Sequence, residues 1–360
     1  MAKLLAGSRR PVLLLPLVAF IAAACGGDDT ADTTAPAAAE TTEAAPSDTA
    51  DVAAPESSGA DGGGAAVGMA LPGPKNDRGF SQAHYEGILL AEEELGIVSS
   101  VQENVVDPQA TIDALRNLAA DNELVIGVGA EFAEAGVVVA PQFPDVVFMI
   151  INGQTSDAPN LYVYGVRQGV PAYIAGVLAP SLTQSGKVGF VGGLEIPPTT
   201  QSDVAWAAAI EATDPSVENA STITGDFNDA ALAKEAAAAQ LAAGADVIFG
   251  MLDAALPGAV QAIEESGTEA LLFGVIFPRC EEFPQIVGTA VLNSANLVNS
   301  MISDHLNGTI PAEPLFYGTE NPDIQRLELC ETFATPENLE IVDTTNAGIL
   351  DGSIPLPEGV

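Results

Sequence analysis

Short apolar runs recur along the chain from residue 66 onward, and longer stretches with small and apolar positions three or four apart lie between many of them. The runs "AVGMAL", "ELVIGVG", "DVVFMIIN", "LYVYGV", "KVGFVGG", "ADVIFGM" and "LLFGVIF" predict strands. Helices are predicted over 85–95, 111–120, 171–182, 202–212, 230–243, 258–266 and 293–306. Val and Ile runs without polar alternation describe strands covered on both faces, the condition of parallel sheets in α/β folds. The series restarts at "VRQGVPAYIAG", so two similar halves joined by a hinge are expected: 67–167 with about 289–318, and 168–288 with about 319–360. In such sheets ligands collect beyond the carboxyl ends of strands, where the next loop starts a helix.

The first portion has a different pattern. Lys3, Arg9 and Arg10 precede an apolar run over 11–25 that is too short for a membrane-spanning helix and has the shape of a secretory signal, expected over 1–24. Its end, "AAAC", resembles a bacterial lipobox, which implies lipidation of Cys25 and a membrane anchor worth about 0.8 kcal/mol per buried methylene. Residues 25–66 are Ala, Thr, Asp, Glu, Pro, Ser and Gly with almost no large apolar side chain, so they cannot bury enough surface to fold and read as a tether. The formal net charge of −38 becomes −41 when three basic residues and no acidic one leave with the signal. That charge argues against a nucleic acid partner. In an exported chain the two remaining cysteines, Cys280 and Cys330, are expected to pair, with free thiols as the alternative. His84 and His305 lie in no cluster with metal-ligand spacing, so neither a metal nor another cofactor is expected.

Three stretches carry a family resemblance. "NDRGFSQAHYEGI", "SGKVGFVGGLEIPPTTQSDVAWAAAI" and "GDFNDAALAKEAAAAQLAAGADVIFG" resemble motifs of the basic membrane protein family, substrate-binding lipoproteins of ABC transporters that include purine-nucleoside receptors. The resemblance implies a type I periplasmic-binding fold, in which two Rossmann-like lobes close on a small molecule, and permease subunits as partners of a monomer. Residues alone lead to a similar place. Phe80 and Phe227 each follow a strand and stand where a helix begins, one in each half. Taken singly, such a ring can be a hydrophobic staple at the helix entrance. Two of them, one per half, favour a clamp for a flat heterocycle, and the family's nucleoside-binding members place phenylalanines at these motif positions against the purine.

Asp77, Ser81, Asn152, Asp253 and Asn293 complete the candidate ligand-binding set. Asp253 is read either as a carboxylate for the ligand or as an N-cap of the next helix. Arg279 is as well placed to pair with Glu281 or Glu282 as to meet a solute, Trp206 has the spacing of a core residue, and Glu195 is a candidate for orienting its own loop. The nucleoside-receptor pattern is broken in several places. Ile276 stands at the position of the family's sugar-binding aspartate and Asn293 at that of a lysine. A ribose loses charged partners there, each worth about 1.5–3 kcal/mol. An exported hydrolase would need a nucleophile with a base, and no "GxSxG" is present, so the chain is not expected to be an enzyme. A surface receptor of the same fold is the alternative to transport, differing only in its docking partner.

Overall fold

The computed structural model describes residues 64–360, so the predicted signal, Cys25 and nearly all of the predicted tether lie outside the described residues. The first lobe begins with β1 (Ala66–Ala70), α1 (Phe80–Leu95), β2 (Val98–Gln102), α2 (Pro108–Ala119), β3 (Leu124–Val128), α3 (Ala133–Val139), β4 (Val147–Ile151) and β5 (Leu161–Val166). The chain then builds a second lobe from α4 (Gly169–Leu182), β6 (Lys187–Gly192), α5 (Pro197–Thr213), β7 (Glu218–Ile223), α6 (Ala230–Ala242), β8 (Val247–Met251), α7 (Leu256–Ser266), β9 (Leu271–Ile276) and β10 (Ile286–Leu292). It returns to the first lobe for α8 (Ser294–Asn307) and β11 (Leu315–Tyr317), and ends in the second with β12 (Gln325–Leu329) and α9 (Pro336–Leu350).

The two six-stranded sheets share one plan, in the orders β11-β5-β4-β3-β1-β2 and β12-β10-β9-β8-β6-β7. Every described strand pair is parallel except β10 with β12. In each sheet the strand order reverses beside the first strand of the lobe, between β1 and β3 and between β6 and β8, which sets a crevice at the carboxyl ends. The central strands are buried on both faces. Ile126 and Met149 face the core shared with α1 and α8, whereas Val125, Phe148 and Ile150 face that of α2 and α3. This double burial is why the runs lack polar alternation. In the second lobe Trp206 is fully buried among Phe249 and Phe273, and its indole N–H donates to Asn219 Oδ1 at 2.9 Å. It belongs to the core.

Several boundaries differ from those predicted. Residues 286–292 form one strand pairing β9 and β12, so the return to the first lobe follows Leu292 rather than starting at about 289. α1 starts at Phe80 instead of residue 85, because the Asp77 carboxylate accepts from backbone N–H groups at its first turn. The edge strands β2, β7, β11 and β12, the internal β10, and the helices α3 and α9 are additions to the predicted set. Cys280, after β9, and Cys330, after β12, form a disulfide with Cα atoms 5.5 Å apart across 50 residues of chain. Closing a loop of that length stabilises the fold by about 4 kcal/mol in the chain-entropy model. Among the described residues, no helix is long and apolar enough to cross a membrane.

Candidate functional site

A cavity of about 320 Å³ has walls from both lobes. The loops after β1 to β5 contribute from the first lobe, and the loops after β6, β7 and β8 with the end of β9 from the second. All lie at carboxyl ends of strands, as the strand order requires. Phe80 and Phe227 both line it and both are half-buried. Neither occupies the position of a hydrophobic staple, the residue just before an N-cap. Phe80 is the first residue of α1, and Phe227 stands two residues before Asp229, the N-cap of α6.

Backbone chemistry fixes each ring. Asp77 accepts from the N–H groups of Gly79 (2.8 Å), Ser81 (3.0 Å) and Gln82 (3.0 Å), and the Ser81 hydroxyl accepts from Gly73 N–H at 2.9 Å. These two predicted ligand residues do lie on the cavity wall, but their oxygens already hold the turn that presents Phe80. The Phe80 ring lies against His84, centroid to centroid 4.3 Å. His84 is fully buried, its Nδ1–H donates to the Phe80 carbonyl at 2.7 Å, and burial lowers its pKa to about 4, so the imidazole is neutral at pH 7. Phe227 rests on Gly193, where a Cβ would lie 2.1 Å from the ring; a side chain at 193 would displace it. The Phe227 carbonyl accepts from Asp253 N–H (3.0 Å) and Ala255 N–H (3.1 Å), tying the loop after β7 to the loop after β8.

The remaining predicted residues divide. Asn152 lines the cavity in a left-handed conformation (φ 59°), and its Oδ1 accepts from Val166 N–H at 3.2 Å, which turns its amide nitrogen away from that bond. Asp253 also lines the cavity and caps nothing, since α7 starts after Ala255 with no side-chain cap. Burial, and then repulsion from Asp77, push its pKa up to about 8 against the attraction of Arg279. Asn293 is a correction: it does not line the cavity, because its side chain is the N-cap of α8, accepting from Asn296 N–H at 3.2 Å. Arg279 is buried and donates to the Arg78 carbonyl, while Arg78 pairs with Glu282 at 2.6 Å. Glu195 is exposed and off the wall.

Two features escaped the sequence reading. Glu131, three residues beyond β3, lines the cavity, and burial raises its pKa. Asp253 stands two residues beyond β8, the corresponding strand of the other lobe, so the two carboxylates come from matching loops at unequal offsets, which left no signal in the sequence. Ile276, on the wall at the end of β9, has φ 69°. A β-branched residue there stores about 1–3 kcal/mol of strain. Among the described residues no His, Cys, Asp and Glu cluster could hold a metal ion.

A family model described as "ABC transporter substrate-binding protein PnrA-like" matches residues 65–324. The chain belongs to the Bmp family. Among its relatives, the "ABC transporter nucleoside-binding protein BmpA" of Lactococcus lactis is 26% identical over 178 residues, covering 48% of this chain and 51% of that one. The "Purine-binding protein" of Brucella abortus is 26% identical over 230 residues, covering 63% and 64%. The chain spans about half the length of several curated relatives it matches. A solute-binding protein of an ABC transporter system from Aeropyrum pernix superposes with a TM-score of 0.73 at 19% identity, covering 82% of this chain and 94% of that one. The Bmp-family chain thus has the two-lobed type I periplasmic-binding fold.

Proposed function

We propose that this chain is the extracytoplasmic solute-binding component of an ABC importer, held to the membrane by a lipid on Cys25, and that it delivers a small planar solute to permease subunits. One observation carries the reading: Phe80 from one lobe and Phe227 from the other line a single cavity at the crevice of both sheets. A flat solute stacks on such rings for about 1–3 kcal/mol each. Asn152 and Asp253 supply the polar contacts that fix its orientation. The printed names of the two relatives, nucleoside-binding and purine-binding, agree with a flat heterocycle. Ile276 leaves the end of the cavity beside β9 apolar, which favours a heterocycle over an intact ribonucleoside.

The action is hinge closure by a monomer. A solute enters the open crevice, stacks on one ring and draws the other lobe over it, and the closed form presents the surface that the permease recognises. Contacts made only when both lobes engage drive closure. Titration calorimetry with the solute that co-purifies, identified by mass spectrometry, tests the reading. Phe80→Ala and Phe227→Ala each weaken affinity by at least about tenfold with the fold intact. Unchanged affinity in both variants contradicts it.

A further inference from the structure

The charge on the cavity wall is one-sided. Asp77, Glu131, Asp226 and Asp253 line it, and no Lys, Arg or His does. Two of these carboxylates already have backbone partners: Asp77 at the start of α1, and Asp226, which accepts from Asn228 N–H (2.7 Å) and Asp229 N–H (3.2 Å). Glu131 and Asp253 are held less firmly: the Phe80 N–H donates to Asp253 and Glu131 accepts from its own backbone, and among the described residues neither is in a salt bridge. Glu131 Oε2 is sealed from water with no partner at all, lying against Gly129, another wall residue. Asp253 packs against Gly79 of the opposite lobe, where a Cβ would come within 2.5 Å of its own Cβ. These two carboxylates emerge from corresponding loops, after β3 in one lobe and after β8 in the other.

The charges facing them are few. Arg279 lies near Asp253 and Asp77, donates to the Arg78 carbonyl, and has its own positive charge disfavoured by burial and by Arg78. Arg78 is paired with Glu282. One buried guanidinium therefore lies near two of the four wall carboxylates, Asp253 and Asp77, and outside the wall itself. An unpaired charge in a closed crevice is costly, and a hydrogen bond to it is correspondingly strong.

We propose that the solute is a cation: a flat amine, amidine or protonated nitrogen heterocycle whose N–H edge reaches Glu131 and Asp253 while its faces lie on Phe80 and Phe227. The assignment rests on the solute-binding reading above and narrows it to a chemical class. Without solute, Asp253 carries a proton at pH 7, since burial and Asp77 hold its pKa near 8. When the cation arrives, the Asp253 O–H bond breaks, the proton passes to solvent, and the carboxylate left behind pairs with the cation. Affinity therefore rises with pH up to about 8 and falls below it.

Titration calorimetry of the intact protein at pH 7 tests this with two matched pairs of flat probes. Benzamidine is compared with benzamide, and protonated 2-aminobenzimidazole with neutral 2-benzimidazolinone, each in two buffers of different ionisation enthalpy. The expected result is that each cation binds at least about tenfold tighter than its neutral isostere and releases about one proton. Glu131→Gln and Asp253→Asn, checked for folding by thermal melts, each reduce that preference, and Asp253→Asn also abolishes the proton release. Neutral probes binding as tightly as the cations, or a full preference surviving in both variants, overturns the cation assignment. In that case weaker neutral binding in Phe80→Ala still supports the planar-solute reading. Failure of all four probes to bind at millimolar concentration overturns the cation assignment and counts against the planar-solute reading too.

Discussion

Asp253, on the cavity wall and proposed to meet the solute, works against the fold that carries it. With its pKa raised from 3.8 to about 8, it is ionised in the unfolded chain but protonated in the folded one across that interval, so it lowers stability as pH rises from 3.8 to 8. Asp253→Asn removes the penalty. Thermal melts of the solute-free protein should show the variant more stable than wild type by at least about 1 kcal/mol at pH 7. The gain should grow from pH 5 to pH 8 and then level off. A variant that melts lower at every pH would mean that the carboxylate is well solvated in the crevice. Ile276 belongs to the same class of residue, since its left-handed backbone suits Asn, Asp or Gly better than a β-branched side chain. The aspartate expected there from the family pattern would adopt it with less strain. Its replacement was visible in the sequence, whereas its backbone strain was not, because φ depends on how β9 ends.

Among the elements, α1 couples local chemistry to the site. Asp77 closes three backbone N–H groups at its start, and the ring of its first residue is thereby aimed at the crevice. Asp77→Ala should destabilise the protein by about 1–2 kcal/mol. Hydrogen exchange should also quicken at Ser81 and Gln82. Unchanged protection at both would show that packing alone holds the turn. The predicted strands most readily read were those buried on both faces, such as Leu124–Val128 and Val247–Met251, where every side chain must be apolar. β2 ("VSSVQ") and β7 ("ENASTI") were missed because each is an edge strand with no buried residue and no apolar run. α9 was missed because polar and apolar residues are mixed along it and some of the apolar ones, Leu339 and Leu350, stay exposed while Val342 packs on the core. Phe80 and Phe227 were legible because each breaks a polar loop. Glu131 was not, because a single acidic residue in so acidic a chain carries no signal until the fold puts it on the wall.

At the scale of the whole molecule, the two lobes are joined where the chain crosses after β5, after β10 and between β11 and β12. These crossings run side by side: Arg167 N–H donates to the Tyr317 carbonyl, and Asn293 N–H to the Ile324 carbonyl, each at 2.8 Å. Such a bundle can bend as a hinge while each sheet with its helices stays rigid. The doubled βα series made this plan readable, but the junction after Leu292 was not, since strand β10 continues an apolar pattern that belongs equally to either lobe. The central claim is that one ring from each lobe grips a flat solute. It is tested most directly by a crystal structure of the protein with its co-purified solute. The account predicts the solute plane within about 4 Å of both the Phe80 and Phe227 rings, with the lobes closed around it. A solute bound outside the crevice, or touching only one lobe, would contradict it.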